Sequence, residues 1–201
     1  MNTYRHRASP RPLVVAALAL FLAVLPGWAK KMAEEAPDQL FDGPIQTVDI
    51  RVLAKDMRIL RSSGGWGGGG GKRPEVPATV KFGTNVFEKV AIHIKGAAGS
   101  FRQIDANPAL TLNFGKLNPE QSCFGHRKLH LNNSVQDNSL MNELVASRMF
   151  NEAGVPTPRV SHAIVILNGR TLGMYVMKEG WDKPFLKRNF GSSKGNLYDP
   201  N

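Results

Sequence analysis

Residues 160–178 read VSHAIVILNGRTLGMYVMK, two apolar runs on either side of Asn168-Gly169. Asn-Gly is favoured in two-residue type I′ turns because both positions take positive φ, so the segment predicts a β-hairpin with arms at 160–167 and 170–178. Downstream, Gly180-Trp181-Asp182-Lys183-Pro184 breaks the strand pattern, a short helix is expected over 184–189, and 196–198 is strand-like. Upstream, 137–153 has the spacing of a helix. Asp137 or Ser139 can cap its start, Leu140, Leu144, Val145, Met149 and Phe150 supply apolar contacts, and Gly154 with Pro156 ends it. Glu143 shares a side with Leu140, Ser147 and Phe150. That placement fits either a partly desolvated carboxylate that needs a partner or an edge glutamate reaching water.

Further toward the N-terminus, 109–114 reads as an apolar strand after Pro108. Strands 78–82 and 86–95 flank Gly83-Thr84-Asn85 as a second hairpin, whose long arm sets Val90, Ile92 and Ile94 against Ala91, His93 and Lys95. His93 is expected on the solvent side. A strand at 45–53 and a short helix at 55–62 precede a glycine-rich stretch, 64–71, with the composition of a flexible loop. That stretch ends in Gly71-Lys72 but is not a phosphate-binding loop. Trp66 stands where the first glycine belongs, Arg73 stands where Ser or Thr belongs, and no strand feeds into it. Several strands, one main helix and a late hairpin give an α+β class.

Met1 to Pro12 carries Arg5, Arg7 and Arg11 and no acid, and thirteen apolar residues follow at 13–25. Gly27-Trp28-Ala29 supplies the small-x-small pattern of a cleavage site, so 1–29 is expected to be a signal peptide cut after Ala29. As a helix the run would be about 20 Å long, short of the roughly 30 Å hydrocarbon core, so contact with the membrane is expected only during export. The location that follows is secreted or cell envelope. Residues 30–44 read as a mobile lead and 45–201 as the domain.

The formal net charge is +10, of which the three arginines of 1–29 account for three, leaving +7 for the remainder. The basic residues are scattered, which fits a solvated basic surface better than a nucleic-acid arm, and no nucleic-acid partner is expected. Cys123 is the only cysteine. An internal disulfide is therefore excluded, and no zinc-type cluster or cysteine nucleophile is indicated.

Several stretches together resemble the CotH (spore coat protein H) kinase family: VAIHIKGAAGSFR (90–102), PALTLNF (108–114), KLHLNNSVQDNSLMNE (128–143), FNEAGVPTPR (150–159), LNGRTLGMYVMKEG (167–180) and GNLYD (195–199). The resemblance covers roughly residues 40–201. It implies a kinase-like N-terminal lobe of antiparallel strands with one main helix, with ATP and a divalent metal (Mg or Mn) as cofactors. The implied activity is transfer of the γ-phosphate to Ser or Thr of coat or cell-surface proteins. By the same resemblance Gly96, Gly99, Ser100 and Arg102 form a glycine-rich turn over the phosphates. Glu143 is the helix carboxylate that orients a lysine, and Lys178, Glu179 and Gly180 form a hinge that reads adenine.

Asn107 stands where the family pattern has a lysine ahead of the Pro-Ala-Leu strand, and Lys95 or Arg102 are the cations available to replace it. The family's acidic metal-binding and catalytic segment lies beyond Asn201, so this chain is expected to be an inactive N-terminal part of an exported kinase. The alternatives are a non-catalytic coat or envelope protein that uses the fold as a binding surface, and an adhesin holding polyanions on its basic face.

Overall fold

A computed structural model describes residues 38–62, 73–97, 99–195 and 197–198. The expected signal peptide, the first part of the lead and the glycine stretch 64–71 lie outside the described residues. Among the described residues there are seven strands: β1 (Gln46–Arg51), β2 (Val76–Phe82), β3 (Asn85–Lys95), β4 (Ala109–Asn113), β5 (Lys128–Asn132), β6 (Val160–Leu167) and β7 (Arg170–Glu179). The helices are α1 (Ala54–Ser62), α2 (Phe114–Leu117), α3 (Asn142–Glu152) and α4 (Lys183–Phe190).

Both hairpins form where the turn residues place them. Asn168 and Gly169 take φ of 48° and 80°, and Gly83 takes 56°. The sheet is nevertheless a closed barrel in the order β1-β2-β3-β4-β5-β7-β6, and this corrects the expectation of a kinase-like lobe with one main helix. Closure comes from a parallel pairing of β1 with β6, with Val48 opposite Val165 and Ile50 opposite Leu167. Local periodicity predicts a strand at β1 but says nothing about a partner more than a hundred residues away. The β6–β7 turn itself helps to fasten the seam. Asn168 N–H donates to Ile50 O at 2.8 Å, and its side-chain amide exchanges hydrogen bonds with the Val52 backbone at 2.8 and 3.0 Å.

Alternate residues fill the barrel. Val48, Ile50, Val80, Ile92, Leu110, Leu112, Leu129, Leu131, Val165, Tyr175 and Met177 are all fully buried, each aliphatic side chain contributing about 1.5–3 kcal/mol. Phe82, Phe87, Phe114 and Phe124 pack edge-on or tilted against one another at 5.3–6.5 Å. Within residues 38–44, expected in the lead, Leu40 and Phe41 are buried, and Asp38 is anchored by His126 Nε2 at 2.6 Å and by Arg159 at 2.7 Å.

α3 starts at Asn142, five residues after the expected start. The intervening turns are held by Asp137, which accepts from the Asn142 N–H at 2.9 Å, and by Ser139 Oγ, which accepts from the Met141 N–H at 3.1 Å. Ser147 is its buried residue and donates to Pro158 O at 2.6 Å. Val145, Met149 and Phe150, expected to make apolar contacts, face outward. α4 is capped by Asp182, which accepts from the Phe185 N–H, and ends at Gly191 with φ 70°. No described helix is long and apolar enough to cross a membrane.

Candidate functional site

The outer face of β3, β4, β5 and β7 is polar where the inner face is apolar, since side chains alternate across a strand. At one end of that face lies a cleft of about 390 Å³ lined by Lys95, Gly96, Ser100, Ala109, Asn132 and Glu143, with residues 133–137 and Asn142 closing the rim. Three of the residues expected from sequence, Gly96, Ser100 and Glu143, therefore meet in one place.

Its core is a chain of polar contacts across four elements, β3, β5, β7 and α3. Lys95 Nζ on β3 donates to Asn132 Oδ1 at 2.6 Å, Asn132 Nδ2 on β5 donates to Glu143 Oε1 at 2.6 Å, and Lys178 Nζ on β7 donates to Glu143 Oε2 at 3.3 Å. An ammonium can only donate and a carboxylate only accept, so Asn132 links them in the one orientation its amide permits. Burial pushes the Lys95 ammonium below its usual range and Lys178 adds to the effect, while Glu143 opposes it. Two cations converge on Glu143 in a partly desolvated cleft whose lining also includes Asp137, so the charges nearly balance and the ammoniums are the groups that can face an anion.

The 96–102 turn is built around its glycines. Gly96 has φ 112°, and a Cβ there would lie 3.0 Å from Phe101 Cα; Gly99 has φ 88°, and its Cβ would meet Gln136 Nε2 at 2.5 Å. The N–H groups of Ser100 and Phe101 donate to Ala97 O at 3.1 and 3.0 Å, and the Ala97 N–H donates to Ser100 Oγ at 3.0 Å. These donors are occupied within the turn, which leaves the lysines as the cleft's strongest anion-binding groups. Arg102 braces the same turn through Gly99 O at 3.1 Å and Phe101 O at 2.7 Å.

Asn107 points to the barrel interior, where its side-chain oxygen accepts from the Tyr175 hydroxyl and its backbone oxygen accepts from Asn133 at 2.7 Å. Glu179 is 1% exposed and outside the cleft. It accepts from Arg188 and, at 3.1 Å, from the Arg159 N–H, and it stands 3.8 Å from His126. The Glu179 and Gly180 N–H groups donate to Arg159 O at 3.0 Å and Lys128 O at 2.9 Å. Asn132 was not singled out from sequence, and Lys178 was assigned only to the hinge. The alternation of β7, with Tyr175 and Met177 inside, is the signal that sets Lys178 on the outer face.

Cys123 is buried, and its surroundings push the thiol well above its usual range, which argues against a nucleophile. Among the described residues no three His, Cys, Asp or Glu gather as a metal site.

A family model described as CotH kinase protein matches residues 92–201, which include Lys95, Asn132, Glu143 and Lys178. The chain is 36% identical over 72 residues to the inner spore coat protein H-like protein of Bacillus subtilis (strain 168), covering 36% of this chain and 23% of that protein. It is 34% identical over 64 residues to the inner spore coat protein H of the same organism, covering 32% of this chain and 18% of that protein. Each match thus takes in less than a quarter of the relative's length.

Proposed function

The chain belongs to the CotH kinase protein family, and from that premise we propose that it is a coat- or envelope-associated protein whose Lys95–Glu143 cleft holds the phosphates of ATP. In the whole protein, that cleft serves transfer of the γ-phosphate to Ser or Thr of coat or surface proteins. Export through residues 1–29 is part of this reading.

The observation that carries it is the Lys95–Asn132–Glu143–Lys178 chain beside the 96–102 turn. Phosphoryl transfer relies on positioning and on cations placed where negative charge accumulates. Glu143 holds Lys178 directly and Lys95 through Asn132, so both ammoniums are oriented before a ligand arrives. Lys95 thereby fills the role of the cation that Asn107 cannot supply. A triphosphate fits this donor set.

A divalent metal does not fit it among the described residues. Glu143 is engaged by Asn132 and Lys178, and Asp137 by Ser139 and Asn142. In this reading the metal-holding carboxylates lie outside the described residues. The described cleft binds nucleotide without turning it over. The same engagement of both cleft acids favours, as a second reading, a coat or envelope protein that uses the cleft for binding alone.

Equilibrium binding of a fluorescent ATP analogue to the full chain, with and without Mg, tests the proposal. Lys95→Met and Glu143→Gln should each weaken binding about tenfold, as expected for loss of a hydrogen bond to a charged group. Unchanged affinity in both variants, with wild-type melting curves, would sink the phosphate assignment.

A further inference from the structure

A second, more open trough of about 650 Å³ adjoins the cleft and shares Lys95 with it; Arg73, Glu75, His93 and Lys116 supply its other polar groups. Arg73 is held rigidly, donating to Ile94 O at 3.1 Å and to Gly96 O while its guanidinium stacks on the Phe101 ring at 5.2 Å. Lys116 is half exposed and reaches Glu75, whose other oxygen stands 3.4 Å from His93 Nδ1. Among the described residues lining the trough Glu75 is the single carboxylate, set against Arg73, Lys95 and Lys116.

The positive character continues across the sheet. His93 pairs with Thr111, Thr111 with His130, and His130 with Lys178, so one row crosses four strands on the outer face. Burial pushes the His130 imidazole down to about 3, helped by the charges of Lys95, Lys128, Lys178 and His93. β3 pairs with β4 along Ala91–Lys95, and on its other side Arg73 takes the Ile94 and Gly96 carbonyl oxygens, so the trough meets a peptide chiefly through side chains.

We propose that this trough is a recognition site for an anionic stretch of a protein partner, seating carboxylate or phosphoserine side chains against Lys116, Arg73 and Lys95. Glu75 occupies the place of the partner's anion and is displaced when the partner binds. The trough's size suits one or two acidic side chains rather than a nucleic-acid duplex. Only the partner's role as a phosphoacceptor rests on the function proposed above; the binding itself does not.

The test is fluorescence anisotropy of the full chain with short peptides rich in Glu, in phosphoserine or in Gln, run without nucleotide. The Glu or phosphoserine peptide should bind several-fold tighter than the Gln peptide and should weaken as salt is raised, since exposed charges are screened. Preference between the two anionic peptides identifies carboxylate or phosphate as the group seated. Lys116→Gln should weaken the anionic peptide several-fold, Glu75→Gln should tighten it, and Lys187→Gln on α4 should change nothing. Equal binding of all three peptides, indifference to Lys116→Gln, or tighter Lys116-dependent binding of single-stranded DNA overturns the proposal. Glu143→Gln, which lies outside the trough, should weaken the ATP analogue and leave Lys116-dependent peptide binding in place, so failure of the cleft reading and failure of the trough reading are told apart.

Discussion

Replacing Asp38 with Asn removes a charge that ties the segment before β1 to the barrel. The Asp38 side chain is 9% exposed and accepts from His126 Nε2 and Arg159. Burial by itself pushes the carboxyl up, but the hydrogen bonds from His126 and the Leu40 N–H, with the charges of His126 and Arg159, outweigh it and hold the group at about 2, against an ordinary 3.8. At roughly 1.36 kcal/mol per pH unit that difference amounts to about 2 kcal/mol of stability at neutral pH. The carboxyl is the stronger acid in the folded chain, so the unfolded chain binds more protons between about pH 4 and pH 2. The contribution is therefore complete above pH 4 and is lost as pH falls through 2. Thermal and urea melts from pH 7 to pH 2 should show Asp38→Asn less stable than wild type by about 2 kcal/mol at pH 7, or roughly 4–8 °C for a domain of this size. The two curves should converge near pH 2. A deficit equally large at pH 2, or none at pH 7, would refute the assignment of stability to the ionised carboxylate.

Gly96→Ala should cost about 1–3 kcal/mol, because it forces an L side chain to φ 112° against the Phe101 backbone; an unchanged melting temperature would contradict the turn geometry. Met149→Lys on α3 should leave stability within about 0.5 kcal/mol, since that side chain is 65% exposed; a loss of 2 kcal/mol would mean that the stripe is packed.

Elements whose signals are local were legible in the sequence. The Asn168-Gly169 turn, the Gly83 turn and the alternation of Val90, Ile92 and Ile94 each depend on neighbouring residues, and each is where the pattern puts it. The barrel was not legible, because the β1–β6 pairing joins residues 46–50 to 163–167 and leaves no local trace. Nor was the orientation of α3. Its strongest apolar positions, Val145, Met149 and Phe150, predict an inward stripe, yet the small Ser147 is what lets the helix approach, through a hydrogen bond to Pro158 O. The cleft was half legible. Glu143 and the 96–102 turn were indicated only through the family resemblance, whereas the convergence of Lys95, Asn132 and Lys178 on Glu143 needs four strands, β3, β4, β5 and β7, laid side by side in register.

The parallel seam between β1 and β6 also sets an order of events for the nascent chain. β2 follows β1 closely and can pair with it early, but the other edge of β1 waits for residues 163–167 to be synthesised. Contacts so distant in sequence form slowly, since the intervening loop has to be closed before they stabilise anything. A chain passing N-terminus first through a narrow channel would therefore emerge with β1 half-paired and its barrel open. Closure would come only after most of the domain had crossed, and until then the polypeptide would remain in a form that can be threaded.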